Sequence, residues 1–279
     1  MLLLADSGST KTEWRLFNAD GVIQSITSKG LNPLFFTEES FLGELKNSIQ
    51  EKWIEEVTKL WFYGAGCGTT NVKLQTSEWL ARVFKKAAIE VDSDLLGAAR
   101  ASCGSEQGIV AILGTGSNSA LYDGAKLVEH IKPLGYILGD EGSGTALGKS
   151  LLKKLLREEF SPQLSKLLYT ELGLSYEEVI QQVYRSEFPN RFIASCTRLL
   201  HAHMDDGEIQ RLINNELDNF VFLLSKYSKS NELTLNFVGS IAYYFESNLK
   251  EVVSKRGLTL GNIVKNPADQ LVSFHKKNL

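Results

Sequence analysis

The fold of this chain is decided by its first residues, Met1-Leu-Leu-Leu-Ala-Asp-Ser-Gly-Ser-Thr-Lys-Thr-Glu-Trp14. The apolar run Leu2 to Ala5 is short and ends at turn-forming residues, so it predicts a buried strand. A second apolar run, Trp14 to Phe17, predicts its antiparallel partner, and an Asp-Gly turn leads into a third strand, Val22 to Ile26. Asp6 is therefore expected at the point where the first strand ends.

The turn after this strand has the composition of a phosphate-binding loop. Gly8 allows the backbone to approach a ligand closely, because glycine has no side chain. Hydroxyl and amide donors surround it on Ser7, Ser9, Thr10 and Thr12. Such a turn suits the oxygens of a nucleotide phosphate, with the carboxylate of Asp6 organising a magnesium ion. Taken alone, the turn is explained equally well as an ordinary hairpin that is rich in small residues.

Composition places the chain among ordinary globular proteins. Its 279 residues suffice for one large or two ordinary domains, and 43% of them are hydrophobic and 23% charged. A net charge of −3 gives no electrostatic reason to bind nucleic acid. The apolar runs are far too short for a membrane span, and Asp6 interrupts the first one too early for a signal peptide. Three widely spaced cysteines, Cys67, Cys103 and Cys196, match neither a disulfide framework nor a metal site, so we expect a reduced, cytoplasmic protein.

The pattern of the opening residues recurs from Gly108 onwards. Ile109 to Leu113 predicts a buried strand, Gly114-Thr-Gly-Ser-Asn118 a turn, and Ser119 to Tyr122 the returning strand. A second Asp-Gly pair then leads into a further strand, Ala125 to Ile131. This internal repeat predicts two similar domains that face one another.

Elsewhere strands and helices alternate, which is typical of an α/β protein. Helical periodicity covers Glu38 to about Glu55, about Asn71 to Ala88, and Ile241 to Ser254. Almost all of Thr145 to Lys229 is helical in pattern, and Ala268 to Lys277 predicts a closing helix. Further strands are predicted at Leu60 to Tyr63, Ile89 to Val91, Leu233 to Val238 and Leu258 to Val264.

One glycine-rich string, Ser143-Gly-Thr-Ala-Leu-Gly-Lys149-Ser150, is one residue from a P-loop. Ser143 occupies the position of the first required glycine. In addition, Gly139-Asp-Glu-Gly142 separates the string from any buried strand, so we reject a P-loop here. Three other glycine-rich turns do follow buried strands, and their joint occurrence indicates a cleft built around a nucleotide.

Four motifs resemble, in sequence and in order, those of the sugar kinase, Hsp70 and actin superfamily: Asp6–Thr12, Gly114–Asn118, Gly139–Gly144 and Gly239–Ile241. The second and third look like those of the N-acetylglucosamine kinase branch, which is grouped with the BadF/BadG/BcrA/BcrD ATPases. The resemblance implies an α/β fold of two RNase H-like (actin-like ATPase) domains facing a nucleotide cleft. The first domain would span residues 1–105 and be joined by the C-terminal helix 266–279. The second would span residues 106–265 and contain a helical insertion.

The resemblance also implies a reaction and its cofactors, ATP and magnesium. The γ-phosphate would be transferred to the 6-hydroxyl of an amino sugar, with N-acetylglucosamine as the first candidate. Asp94 would be the catalytic base, and Asp6 would hold magnesium through water. Contacts to ATP are implied for Ser7, Gly8, Ser9, Thr10, Lys11, Thr12, Gly114, Thr115, Gly116, Gly239 and Ser240. Contacts to the sugar are implied for Asn32, Asp94, Ser117, Asn118, Gly135, Asp140 and Glu141.

Some of these positions have a competing interpretation. Asp94 is also placed to cap the helix that follows it, and Asp140 is the other candidate base. Asn32 precedes a proline and therefore also fits an ordinary turn. Pro133-Leu134-Gly135 stands where the family has Gly-Trp-Gly, so the wall on the sugar side differs from that of the family.

The alternative function is a BadF-type ATPase that activates or regulates a partner protein without phosphorylating a sugar. In the dehydratase activators of that group, a cysteine after the second phosphate loop ligates a shared iron–sulfur cluster. Here no cysteine follows Gly114 until Cys196, which weighs against that role. The expected partners are an amino sugar and ATP, without nucleic acid or membrane, and a homodimer is a further candidate.

Overall fold

The computed structural model describes residues 1–278, which form two compact units. The first unit contains Met1–Glu106, the short segment Asp123–Leu127 and the C-terminal residues from Asn266 onwards. The second contains Gln107–Tyr122 and Val128–Lys265. Each unit is built on one five-stranded sheet.

The first unit opens with the three strands that the sequence predicts. Its elements in chain order are β1 (Leu2–Ser7), β2 (Lys11–Phe17), β3 (Val22–Lys29), α1 (Glu38–Ser48), α2 (Glu51–Glu56), β4 (Lys59–Gly64), α3 (Thr70–Val83), β5 (Ala88–Ser93) and α4 (Asp94–Cys103). The strands pair in the order β3-β2-β1-β4-β5. Strand β1 is antiparallel to β2 and parallel to β4, and β5 continues the parallel half of the sheet.

The second unit repeats this arrangement and adds helices. Its elements are β6 (Gly108–Leu113), β7 (Ser117–Tyr122), β8 (Leu127–Ile131), α5 (Gly135–Leu138), α6 (Gly144–Leu156), α7 (Pro162–Leu172), α8 (Tyr176–Arg185), α9 (Pro189–Ser195), α10 (Thr197–Ala202), α11 (Gly207–Leu224), β9 (Thr234–Val238), α12 (Ser240–Tyr244), α13 (Glu246–Lys255) and β10 (Thr259–Val264). The sheet order is β10-β9-β6-β7-β8, with β6 antiparallel to β7 and parallel to β9. Both sheets therefore have the same RNase H-like order. The predicted fold class, two actin-like ATPase domains of the α/β type, is confirmed.

Side chains alternate along β1, so this strand contributes buried residues to the hydrophobic clusters on both faces of the first sheet. Leu3 and Ala5 lie in one hydrophobic cluster with Trp14, Phe41 and other buried side chains. Leu4 lies in a second cluster on the opposite face, which contains Phe17, Trp61 and Tyr63. In the second unit the equivalent strand β6 contributes Ile109, Ala111 and Leu113 to a core formed with the helices.

The closing helix, α14 (Ala268–Lys277), belongs to the first unit. It buries Ala268, Leu271 and Val272 in the cluster that contains Leu4 and Trp61. The ring of His275 stacks on that of Trp61, with 4.2 Å between the ring centroids, and its Nε2 is hydrogen-bonded to the Tyr63 hydroxyl at 2.8 Å. The chain thus returns to the first unit after completing the second.

Three predicted helices are interrupted or end earlier than their periodicity indicates. Those over Glu38–Glu55 and Ile241–Ser254 are each divided in two, and the helix predicted to reach Ala88 ends at Val83. In each case the helix stops at a buried apolar residue with a non-helical backbone, namely Ile49, Phe245 and Phe84. Packing of these side chains into the core overrides the local helical preference.

We expect Leu271→Ala to destabilise the first unit. Leu271 is fully buried, and truncation of a buried leucine costs about 2–5 kcal/mol because part of the cavity remains open. Thermal unfolding followed by circular dichroism measures the effect. Gln270→Ala is the matched control, because Gln270 is exposed on the same helix. An unchanged melting temperature for Leu271→Ala would show that α14 does not stabilise the unit.

Candidate active site

Two carboxylates, Asp6 and Asp94, meet at one edge of the first sheet. Within the sheet, Ser7 of β1 is in register with Gly64 of β4, and Gly64 with Ser93 of β5. Asp6 precedes Ser7, and Asp94 follows Ser93 as the first residue of α4. Because these parallel strands end together, both side chains lie near the same edge.

The helix-cap interpretation of Asp94 is wrong, because Ser93 is the N-cap of α4. The Ser93 hydroxyl accepts a hydrogen bond from the amide of Leu96 at 3.2 Å, as expected of an N-cap side chain. Asp94 stands one position later, and its Oδ1 accepts a hydrogen bond from the amide of Leu95 at 2.9 Å. One carboxylate oxygen is thus held in place, and the position of Asp94 is not explained by capping.

Both carboxyl groups hold their protons more tightly than usual. Burial is the main reason that the pKa of Asp6 is raised to about 7; the charges of Asp94 and Glu13 contribute to this shift, and those of Lys11 and Arg15 oppose it. Burial also raises the pKa of Asp94 to about 6, against the stabilising amide of Leu95. Perturbed carboxyl groups that lie close together are typical of functional sites.

A chain of charged side chains runs along β2 beside Asp6. Glu13 is the direct cross-strand neighbour of Asp6, and it accepts hydrogen bonds from Lys11 at 2.5 Å and from Arg15 at 3.0 Å. Burial alone would raise the pKa of Glu13, but the two cations outweigh it and lower that pKa. Arg15 also donates to Asp269 of α14 at 2.7 Å, and Lys11 donates to Asn266 at 3.3 Å. The predicted phosphate turn is therefore tied to the C-terminal segment.

The structure corrects the roles of Ser7 and Thr12. Both side chains are fully buried, and their hydroxyl groups are hydrogen-bonded to each other at 2.7 Å. The amide of Leu31 donates to both of them, so these hydroxyls support the turn and do not face a ligand. The part of the turn that remains exposed or half-buried consists of Gly8, Ser9, Thr10 and Lys11.

Asn32 follows Leu31, whose amide is bonded to Ser7 and Thr12, and it is itself buried. Its Oδ1 accepts a hydrogen bond from the amide of Leu34 at 3.0 Å, and its carbonyl accepts one from Phe35 at 3.0 Å. Asn32 therefore forms the turn that its position before proline also predicts. Any contact to a sugar would fall to the amide nitrogen of its side chain.

In the second unit, the Gly114–Asn118 turn rests on the start of α6. The carbonyl of Gly114 accepts a hydrogen bond from the amide of Gly144 at 2.8 Å. The carbonyl of Thr115 accepts hydrogen bonds from the amide of Thr145 at 3.1 Å and from its hydroxyl at 2.7 Å. These bonds fix the turn beside the positive end of the helix dipole, which favours anions.

Asp140, in the loop before α6, contacts the same turn through its side chain. Its carboxylate accepts a hydrogen bond from the amide of Ser117, and a Cβ at Gly116 would lie 2.7 Å from its Oδ2. Only glycine fits at position 116 without displacing this acid. Burial raises the pKa of Asp140, while the Ser117 amide and the Lys149 charge oppose the shift. Its backbone has φ 59°, a strained value for a residue other than glycine.

Asn118 lies at the start of β7, and Gly239 directly follows β9. Asn118 accepts hydrogen bonds through Oδ1 from the amide of Ser119 at 2.9 Å and from His130 at 2.8 Å. Its amide nitrogen stays available. Gly239 has φ 122°, and a Cβ there would lie 2.3 Å from the carbonyl of Leu113, so the turn that leads to Ser240 requires glycine.

Gly135 and Glu141 lie on the segment between β8 and α6. Gly135 starts the single turn α5, where it is exposed. Glu141 is half-buried and lines a cavity of about 340 Å³ together with Gly139, Ala146, Lys149, Ser150, Lys153 and Glu216. Of the three predicted residues on this segment, Asp140 is the one that the structure shows in contact with the Gly114–Asn118 turn.

The fit of a magnesium ion can be judged from Asp6. Within residues 1–278 no group of three or more His, Cys, Asp or Glu side chains could hold a metal by itself. The carboxylate of Asp6 receives no hydrogen bond from the described residues, and its raised pKa means that a nearby cation would stabilise the charged form. These features fit magnesium, which usually keeps several waters and binds through one or two carboxylates plus substrate phosphates.

Sequence reasoning missed Glu13, Arg15 and Thr145. Lys11, Glu13 and Arg15 alternate along β2, and this period of two was the signal that they share one face of the sheet. Thr145 gave no comparable signal, because its bond to Thr115 joins segments that only the fold brings together.

Comparisons with known proteins agree on one group of relatives, although no protein-family model matches the chain. An N-acetylmuramic acid/N-acetylglucosamine kinase of Clostridium acetobutylicum is 25% identical in an alignment of 239 positions that covers 79% of this chain and 76% of the relative. The solved structure of a candidate N-acetylglucosamine kinase from Porphyromonas gingivalis is 37% identical, with a TM-score of 0.94 over 100% of this chain and 99% of that one. A further candidate of this kind, from Chromobacterium violaceum, is 18% identical and shares the fold, with a TM-score of 0.72 over 98% of both chains. Among the described residues, no helix has the length and apolar character needed to cross a membrane.

We expect Asp6→Asn to stabilise the ligand-free protein at high pH. The pKa of the Asp6 carboxyl is near 4 in the unfolded chain and about 7 in the folded protein. The stability that the neutral carboxyl contributes is therefore fully present below pH 4 and is lost as the pH rises through 7. Asparagine carries no charge, so the variant should melt at a higher temperature than the wild type at pH 8 and at an equal one near pH 4. Melting curves without magnesium or nucleotide test this, with the exposed Asp20→Asn as control. Equal stability at pH 8 would contradict a buried, unfavourable charge.

Proposed function

The chain belongs to the N-acetylglucosamine kinase-like family of the sugar kinase, Hsp70 and actin superfamily, and on this basis we propose that it is an ATP-dependent amino-sugar kinase. The reaction is transfer of the γ-phosphate to the 6-hydroxyl, with N-acetylglucosamine as the first candidate substrate. The observation that carries the proposal is 37% identity along the whole chain to a candidate N-acetylglucosamine kinase. The Clostridium relative, named for two N-acetylated amino sugars, supports the same substrate class.

Asp94 has the properties that the base of this reaction needs. Phosphoryl transfer depends chiefly on positioning and on electrostatic stabilisation, with a carboxylate that accepts the proton of the attacking hydroxyl. The pKa of Asp94, about 6, leaves the group ionised at neutral pH and basic enough to take up a proton. Its Oδ1 is held by the Leu95 amide, so Oδ2 is the oxygen we assign to the sugar hydroxyl.

Asp6 and the exposed part of the first turn serve the phosphate side. We assign Asp6 to a magnesium ion through water, and Ser9, Thr10 and Lys11 to the phosphates of ATP. Bound magnesium would neutralise the negative charge that the phosphate oxygens carry during transfer. The short bond from Lys11 to Glu13 holds the ammonium group on the face of the sheet that carries Asp6.

The second unit supplies backbone donors and sugar contacts. We assign the turn Gly114–Gly116 to the phosphates, because it rests on the start of α6. Gly239 and Ser240 are assigned to the adenosine. The sugar contacts are assigned to Asn32 of the first unit and to Ser117, Asn118, Gly135, Asp140 and Glu141 of the second.

We expect N-acetylglucosamine to yield its 6-phosphate when the protein is incubated with ATP and magnesium. The assay compares N-acetylglucosamine, N-acetylmuramic acid, glucosamine and glucose, with product identified by ³¹P NMR. N-acetylglucosamine lacking the 6-hydroxyl is the matched control, because it keeps every other contact and offers no acceptor. Bound ATP without phosphorylation of any of the four sugars would overturn the proposal in favour of a regulatory ATPase.

We expect Asp94→Asn to reduce kcat by roughly 10²–10⁴, the usual contribution of a general base. Asparagine keeps the shape of the side chain and its bond to Leu95, so ATP affinity and melting temperature should be nearly unchanged. Asp92→Asn is the matched control, because Asp92 lies two positions earlier on β5 and is engaged by Lys73. Wild-type turnover of Asp94→Asn would place the base elsewhere, and Asp140 would become the candidate.

A further inference from the structure

Lys149 is the lysine of the string that resembles a P-loop, and the structure gives it a different contact. It lies in the second turn of α6, and its Nζ donates a hydrogen bond to the backbone carbonyl of Tyr136 at 2.5 Å. Tyr136 belongs to the single turn α5, so the bond joins α5 to α6. The rejection of a P-loop is confirmed, because the element before α6 is this helical turn and not a strand.

The turn α5 has little else to hold it. It buries none of its side chains, and the exposed fractions of Leu134, Ile137 and Leu138 are 59%, 74% and 75%. Within the turn, the amide of Gly139 donates to the carbonyl of Gly135 at 2.8 Å. One isolated helical turn is not stable by itself, because its nucleation is unfavourable. The bond from Lys149 ties this turn to α6.

Lys149 also acts on the other end of the same segment. Its positive charge lowers the pKa of Asp140, whereas burial and the neighbouring Glu141 raise it. The amide of Ser117 is the remaining group that favours the charged form of Asp140. Lys149 thus binds the backbone of Tyr136 and interacts electrostatically with Asp140. Both residues belong to the segment that is assigned to the sugar.

From this arrangement we propose that Lys149 is a positioning residue for sugar binding, which holds the α5 turn and the segment after it in place. It acts through Tyr136 and Asp140 and not by contact with the reacting atoms. Asp140, in its charged form, accepts hydrogen bonds from sugar hydroxyls. The inference rests on the proposed function, since it assigns Gly135, Asp140 and Glu141 to the sugar.

Lys153 provides a matched control on the same helix. It lies one turn after Lys149 and lines the same cavity, but it is exposed and its side chain makes no hydrogen bond or ion pair with the described residues. Substitution of either lysine by methionine removes one positive charge and keeps a long side chain. The two variants therefore differ in whether the contact to α5 is lost.

We expect Lys149→Met to raise the KM for N-acetylglucosamine by roughly 10- to 100-fold, as for loss of a charge-assisted hydrogen bond. kcat and the KM for ATP should stay within about threefold of wild type, because the interaction is made in ground and transition states alike. Lys149→Arg should restore the sugar KM to within about threefold, since it keeps the charge and the donor. Lys153→Met should behave as wild type.

The pH dependence of sugar binding separates positioning from a merely structural role. In Lys149→Met, loss of the cation should raise the pKa of Asp140, so the loss of sugar affinity on acidification should begin at higher pH than in wild type. Calorimetric titration with N-acetylglucosamine between pH 5 and 8 measures this. If Lys149→Met does not fold, Lys149→Gln keeps a donor without the charge and should show the same displacement in pH.

A wild-type sugar KM and pH profile in Lys149→Met would overturn the inference, as would an equal loss in Lys153→Met. This failure is distinguishable from failure of the proposed function. The proposed function fails if the wild-type protein phosphorylates none of the sugars. The inference is tested only by comparing the variants with an active wild-type protein.

Discussion

The carboxylates of Asp6 and Asp94 repel one another at one edge of the first sheet, and this repulsion adds to the effect of burial on the pKa of Asp6. Two buried like charges with few hydrogen-bond donors destabilise the folded state. Such pairs are found chiefly at functional sites, where they are retained for activity. The surroundings of the two acids differ. Asp94 has a backbone donor from Leu95, whereas Asp6 has none among the described residues and is left to attract a cation.

The neighbouring charges limit the cost of this pair. Lys11 and Arg15 offset the negative charge of Glu13, and Arg15 continues the network to Asp269 at the start of the closing helix. The same helix is anchored further along by the contact of His275 with the Tyr63 hydroxyl. The face of the sheet that carries Asp6 is therefore completed by residues from the far end of the chain, which connects the electrostatics of the site to the return of the chain into the first unit.

The two units repeat one topology but contribute different chemistry. In the first, the strand ends carry the carboxylates Asp6 and Asp94. In the second, the neighbouring strands β6 and β9 are followed by Gly114 and Gly239, and a Cβ at position 239 would lie 2.3 Å from the carbonyl of Leu113. Removal of side chains exposes backbone amides, and backbone amides are the natural partners of anionic oxygens. The strand ends of the first unit therefore carry acidic side chains, whereas those of β6 and β9 are followed by glycine backbone.

By itself the sequence determined the strand, turn and strand repeats, the α/β class and the rejection of the P-loop, because each depends on periodicity or spacing over a few residues. Tertiary structure alone decided where the helices end, since Ile49, Phe84 and Phe245 leave the helical pattern to fill the core. It also decided that Ser93 and not Asp94 caps α4, and that the hydroxyls of Ser7 and Thr12 bond Leu31 and not a ligand. Burial and hydrogen-bond partners depend on segments that are distant along the chain, as Arg15 and Asp269 are, and no local pattern records which segments meet.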